Sequence, residues 1–370
     1  MGADLNARER LIAALEGCTP DRVPFSPFLA YVWESLPASV QAAGQLAFHT
    51  RIGADPLWRG APCPVRVHLP ATVTTRSWQE GPRRCVETVT PVGALRRTYL
   101  KTPAAGDQTE FLVEHPLKTE DDLRIQLWIE EHTEYTLDLE PVQQHLAGDG
   151  AVGLSLGMLL PRAKAAFQDL VEHLMGTEEL AYALADYRET VEALWQAMVA
   201  NDLRAAELAL EAPYRYFITW EDSGTQNYAP SAYRRYIATE VAQWVALLES
   251  DGRRYIQHAC GHLRAILGAM QASGAHGVES LSPPPTGDIT LAEARALVGE
   301  TWPIIGGIEP TRFLQLSLDE LGPYVEQVLA DGMGPNGVGR FVLANSDSCP
   351  PGVTVAKFAR VAEVARGWRP

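Results

Sequence analysis

The sequence has no apolar run long enough to cross a bilayer, and residues 1–16 are too charged and helix-prone for a secretory leader. Both absences point to a cytoplasmic protein with no membrane partner. Basic residues are in the minority, 31 Lys and Arg against 46 Asp and Glu, and the net charge of -15 argues against nucleic acid as a partner. Cysteine is scarce and scattered: Cys18, Cys63, Cys85, Cys260 and Cys349 make an odd set that does not suit a disulfide framework and leaves thiols free for metal or chemistry. Low-complexity segments, linkers and short-period repeats are also missing, so residues 1–370 are expected to form a single domain. A hydrophobic content of 46% over 370 residues is ample for one large core.

Along the chain, the spacing of Leu11, Ile12, Ala14 and Leu15 predicts a leading helix that Gly17 and Pro20 stop. Short apolar runs follow at 21–25, 53–58, 151–156, 216–220, 255–258, 277–281, 303–306 and 341–344. Helical segments separate most of them, and two open with capping boxes, Thr290 with Glu293 and Ser317 with Glu320. Eight strands alternating with helices predict an α/β fold, a (β/α)8 TIM barrel. Residues 64–101 break this rhythm with period-two alternation around Gly81-Pro82 and Gly93, which predicts an antiparallel β insert over 62–115. The charged stretch from Thr119 to His145 is read as helical.

Active sites of parallel barrels gather at the C-terminal strand ends. Several polar groups fall there in the predicted scheme: Glu221 and Asp222 after the fourth strand, His258 and Cys260 at the end of the fifth, Glu279 on the sixth, Glu309 after the seventh, and Asp347 and Cys349 after the eighth. In an extended chain residues i and i+2 share a face, so the imidazole of His258 and the thiol of Cys260 converge. Thiolate and imidazole are ligands zinc favours, and His258, Cys260 and Cys349 with an exchangeable Glu279 would make an open, catalytic site. Glu279 is alternatively a hydrogen-bonded rim carboxylate. Glu221 and Asp222 either cap the following helix or handle a proton. The run Gly306-Gly-Ile-Glu-Pro310 is a close-approach loop or a tight turn. Cys18, Cys63 and Cys85 are read as small core residues, and His262 and His276 as surface residues.

The segments Arg8-Glu-Arg-Leu-Ile-Ala-Ala-Leu-Glu-Gly17, Asp21-Arg-Val-Pro24, Trp220-Glu-Asp-Ser-Gly224, His258-Ala-Cys-Gly261 and Gly306-Gly-Ile-Glu-Pro310 resemble blocks of the uroporphyrinogen decarboxylase superfamily. The resemblance implies a (β/α)8 barrel. Its decarboxylases carry an arginine-rich segment soon after the first strand, where this chain reads Ser26-Pro-Phe-Leu-Ala-Tyr-Val-Trp-Glu34, without arginine. Its zinc- and corrinoid-linked methyltransferases are more similar: they imply His258, Cys260 and Cys349 as zinc ligands. A similar arrangement in cobalamin-independent methionine synthase implies Glu279 as the fourth. The expected activity is transfer of a methyl group between a corrinoid and a small thiol or methoxylated substrate. No Asp-x-His-x-x-Gly signature occurs, so the corrinoid is expected on a separate partner protein. A uroporphyrinogen decarboxylase-like enzyme and a non-catalytic metal-binding barrel are the alternatives.

Overall fold

The structure is a computed structural model and describes residues 4–101 and 110–369. It divides into two compact units, one of residues 1–64, 139–159 and 212–370, the other of residues 65–138 and 160–211.

The first unit is built on a seven-stranded parallel sheet. Its strands are Leu57–Ala61 (β1), Leu154–Met158 (β2), Tyr216–Thr219 (β3), Arg254–His258 (β4), Val278–Leu281 (β5), Ile304–Ile308 (β6) and Phe341–Asn345 (β7), each hydrogen-bonded to the next. The sheet curls, consistent with a TIM-like barrel. Seven of the eight apolar runs overlap these strands, although the run at 53–58 meets β1 only at Leu57 and Trp58 and the run at 151–156 meets β2 only from Leu154. The fully buried strands are continuously apolar because parallel strands covered on both faces need no polar alternation. The eighth, the run at 21–25, is reduced to one parallel bridge, Phe25 to Leu343. There the amide of Ser26 donates to Leu343, that of Leu343 to Pro24, and that of Asp55, just ahead of β1, to Phe25, so the segment bridges the two edges of the sheet.

The leading helix, Ala7–Glu16, starts at a capping box between Asn6 and Glu9 and ends at Gly17 in the left-handed region. Leu11, Ala14 and Leu15 on it pack with Leu57, Leu156, Ile218, Ile256, Ile305 and Val342 from the strands, forming the core beneath the site. Alternation then decides what lies above. Arg59 follows Leu57 by two positions on one strand, and His258 follows Ile256 by two on another, so both side chains point to the face their apolar predecessors occupy.

The second unit holds the antiparallel sheet expected from the alternating segment. Thr74–Glu80, Arg83–Thr90, Gly93–Lys101 and Glu110–Glu114 pair in order. Residues 102–109 of the expected insert lie outside the described residues. The stretch from Thr119 to His145 is not one helical segment: helices Glu120–Glu131 and Glu140–Ala147 flank a strand, Glu134–Leu137, that pairs with Val65–His68. In this unit the half-buried Arg162 pairs with three carboxylates, Asp202 at 2.7 Å, Glu130 at 2.9 Å and Asp169 at 3.2 Å. Among the described residues, no helix is long and apolar enough to cross a membrane.

Candidate metal centre

His258 closes β4, and its register partner on β5 is Glu279. Facing residues on neighbouring parallel strands stand side by side on one face, so the imidazole and the carboxylate meet, Nδ1 to Oε2, at 2.5 Å. Cys260 lies two residues beyond His258, and Gly261, at a φ of +80°, turns the chain away. Asp222 arrives from the segment after β3 with its own backbone in the left-handed region at a φ of +45°, a conformation a short polar residue tolerates best after glycine. Its Oδ1 lies 3.0 Å from His258 Nε2 and accepts from the Cys260 thiol at 3.6 Å.

Among the described residues, the His, Cys and carboxylate side chains whose ligand atoms converge are Asp222, His258 and Cys260, all within 4.8 Å of one another. Oxygen, nitrogen and sulfur from three side chains, with Asp222 40% exposed, make a donor set that would suit a borderline-soft divalent ion reached from outside. Burial by itself would lower the His258 pKa, but its hydrogen bonds with Asp222, Cys260 and Glu279 outweigh that and hold it well above the ordinary histidine value. Burial raises the Cys260 pKa, and the neighbouring His258 works against the rise.

The remaining sequence candidates take other positions. Glu279 is fully buried and paired with Arg59 at 2.7 Å. Burial opposes its charge, but Arg59 and His258 more than compensate and its pKa is lowered. Glu221 is buried one residue before Asp222 but bonds elsewhere: Thr219 donates to it at 2.8 Å and in turn contacts Tyr255. Neither Glu221 nor Asp222 caps the helix that opens at Pro230, whose cap residue is Ala229. Cys349 is fully buried beyond β7, outside the converging group, and burial followed by the charge of Asp347 pushes its thiol pKa far up. Glu309 caps the helix Pro310–Gln315 through the amide of Arg312. The Gly306-Gly307 pair lies within β6, where a side chain at 306 would strike the backbone of Leu281 and one at 307 would strike Leu291 and Val328.

Of the three cysteines read as core, Cys85 is buried, but Cys63 is only partly so and Cys18 is exposed at the end of the leading helix. His276 is no bare surface residue: it accepts from the amide of Tyr255 and meets Glu249, each at 3.1 Å. Sequence reasoning missed Arg59. Its signal was an arginine two positions after a core leucine on an apolar strand.

The sequence profile of the uroporphyrinogen decarboxylase (URO-D) family matches residues 168–368, more than half of the chain. The chain belongs to the uroporphyrinogen decarboxylase family. Among solved structures it is similar to a methyltransferase from Methanosarcina mazei, with a TM-score of 0.62 and 14% identity over 98% of each chain. At that identity the likeness shows a shared fold. No curated protein matches the chain. The family match takes in β3 to β7 and with them Asp222, His258, Cys260, Glu279 and Cys349, whereas Arg59 lies ahead of it.

Proposed function

We propose that the chain is a zinc-dependent, cytoplasmic methyltransferase that moves a methyl group between a corrinoid protein and a small thiol or methoxylated substrate. The bridge at Phe25 then counts as the missing stave of a (β/α)8 barrel, with residues 62–115 an insert in a single domain. The observation that carries the reading is the convergence of Asp222, His258 and Cys260 at the C-terminal ends of parallel strands, where barrel enzymes place their chemistry. The methyltransferase fold of the Methanosarcina relative supports it, and so does the lack of arginine in residues 26–34, where a decarboxylase would need partners for its substrate's propionates.

Zinc held by His258, Cys260 and Cys349, with the Asp222 carboxylate beside it, would favour the thiolate of a bound thiol or polarise the oxygen of a methoxylated donor. The protein's own residues do the rest. Asp222, its side chain 40% exposed, is placed to take or return the substrate proton at its carboxylate. Glu221, behind it, anchors this turn to Thr219. The rings of Trp220 and His258 meet edge to face, centroids 4.9 Å apart, which limits how the imidazole can turn. The corrinoid is proposed to arrive on its carrier protein from above the strand ends.

Metal analysis of the purified protein should find about one zinc per chain, reduced in Cys260→Ser and in Cys349→Ser. A spectroscopic titration of the cobalt state, with thiols and methoxylated compounds offered in turn, then separates the two directions of transfer. Full zinc occupancy with no change in the corrinoid for any donor or acceptor would overturn the methyltransferase reading in favour of a metal-binding barrel without catalysis.

A further inference from the structure

Glu279 occupies the place where a fourth zinc ligand is implied, yet both of its oxygens are committed elsewhere. Oε1 accepts from Arg59 Nε at 2.7 Å, and Oε2 faces His258 Nδ1 at 2.5 Å. An ionised carboxylate only accepts, so Nδ1 carries a proton and the ring nitrogen left for a metal is Nε2. Nε2 lies 3.0 Å from Asp222 Oδ1, the same oxygen the Cys260 thiol approaches. Arg59 is as firmly held as the carboxylate it pairs with. Its side chain is 1% exposed and that of Glu279 0%, its Nη2 donates to the Ser26 carbonyl at 3.1 Å, and its guanidinium lies 5.5 Å over Phe28. Phe28 stacks on Trp220, the ring that abuts His258.

We propose that Arg59 and Glu279 are a positioning pair: Arg59 pins Glu279, and Glu279 fixes His258 with its Nδ1 proton inward, presenting Nε2 to an ion between Asp222 and Cys260. The proposal deepens the zinc reading above and rests on it. Carboxylates behind a metal-bound histidine set its tautomer and ring orientation and raise its basicity. Movement of Glu279 into the coordination sphere would leave the Arg59 guanidinium without its carboxylate in a place water does not reach, a heavy penalty for a buried cation. Glu279 is therefore a holder of the ligand and not a ligand.

Three readouts test this. The first needs no metal: in 15N-labelled metal-free protein, the Nδ1 proton of His258 should be protected from exchange, and the protection should vanish in Glu279→Ala. The second is zinc affinity by competition with a chromogenic chelator, expected to fall roughly 10- to 100-fold in Glu279→Ala and less in Glu279→Gln, which keeps an acceptor for Nδ1–H. The third is the visible spectrum of the cobalt(II)-substituted protein, expected to keep its band positions at full occupancy in Glu279→Gln and in the double variant Arg59→Met/Glu279→Gln. The double variant removes the buried charges together and so guards against a misfolded single variant. Shifted cobalt bands in either variant would make Glu279 a ligand and overturn the proposal, as would an unprotected Nδ1 proton in the wild type or unchanged zinc affinity in Glu279→Ala. If the wild type bound no zinc but kept the protected proton, the zinc reading would fall and the positioning of His258 would stand.

Discussion

Gly60 abuts the indole of Trp220: a methyl group at Gly60 would sit 2.7 Å from Cζ2, and the backbone there holds a φ of +68°. Alanine at this position is strained twice, by its own backbone and by a ring that is stacked on Phe28 and set against His258. Gly60→Ala should lose about 1–3 kcal/mol in chemical denaturation, and zinc affinity should fall with it as Trp220 is driven toward the imidazole. Unchanged values of both would mean that the indole has slack the packing does not show.

Acid should loosen the second unit through Asp169. Burial works against this carboxylate, but its hydrogen bond with His173 and the charge of Arg162 prevail, so its pKa in the folded protein is below the ordinary value. A depressed folded pKa means that the stabilisation is present above the unfolded pKa of roughly 4 and is lost as pH falls through the folded value. Asp169→Asn should lower stability at neutral pH and flatten the acid limb of a stability-against-pH curve. Arg162→Met, which strands three buried acids, should be worse, losing about 3–5 kcal/mol at pH 7.

Thr290 accepts from the amide of Glu293 at 3.2 Å, and Glu293 returns the bond to the Thr290 amide at 2.9 Å. Thr290→Ala should therefore remove about 1 kcal/mol, measured by thermal or urea unfolding, without touching zinc content. A drop in zinc would tie this helix to the site in a way its hydrogen bonds do not.

Incubation with uroporphyrinogen should release no carbon dioxide. The four propionates of such a substrate need cationic partners where water is excluded, and Ser26 to Glu34 supplies none. Arg59, the nearby buried cation on β1, is taken by Glu279. Steady decarboxylation would place the chain with the other branch of its family.

The parallel strands were legible because burial on both faces writes a continuous apolar run, and the capping boxes at Thr290 and Ser317 because they are local. Glu134–Leu137 escaped notice for the opposite reason. It is a short strand with mostly exposed side chains and a single partner strand, so no period marks it within its charged surroundings. At the site, His258 and Cys260 could be paired from their spacing alone. The choice between Glu221 and Asp222 could not, since the left-handed turn that swings Asp222 toward the imidazole depends on how the segment after β3 packs. Arg59 and Glu279 stand 220 positions apart, and nothing in either neighbourhood names the other.

The bridge between the edges of the sheet also orders events during synthesis. Phe28 and Asn345 bond across 317 positions, so this contact forms only after nearly the whole chain has emerged. The side chains of Asp222, His258 and Cys260, at the ends of strands whose partners are close in sequence, exist well before that. A long loop must close before its contacts are rewarded, so these three donors are fixed in place only when the last strand docks. On the proposed zinc reading, chains stalled or truncated ahead of Phe341, which lack both this bridge and Cys349, should exchange the metal freely, and finished ones should not.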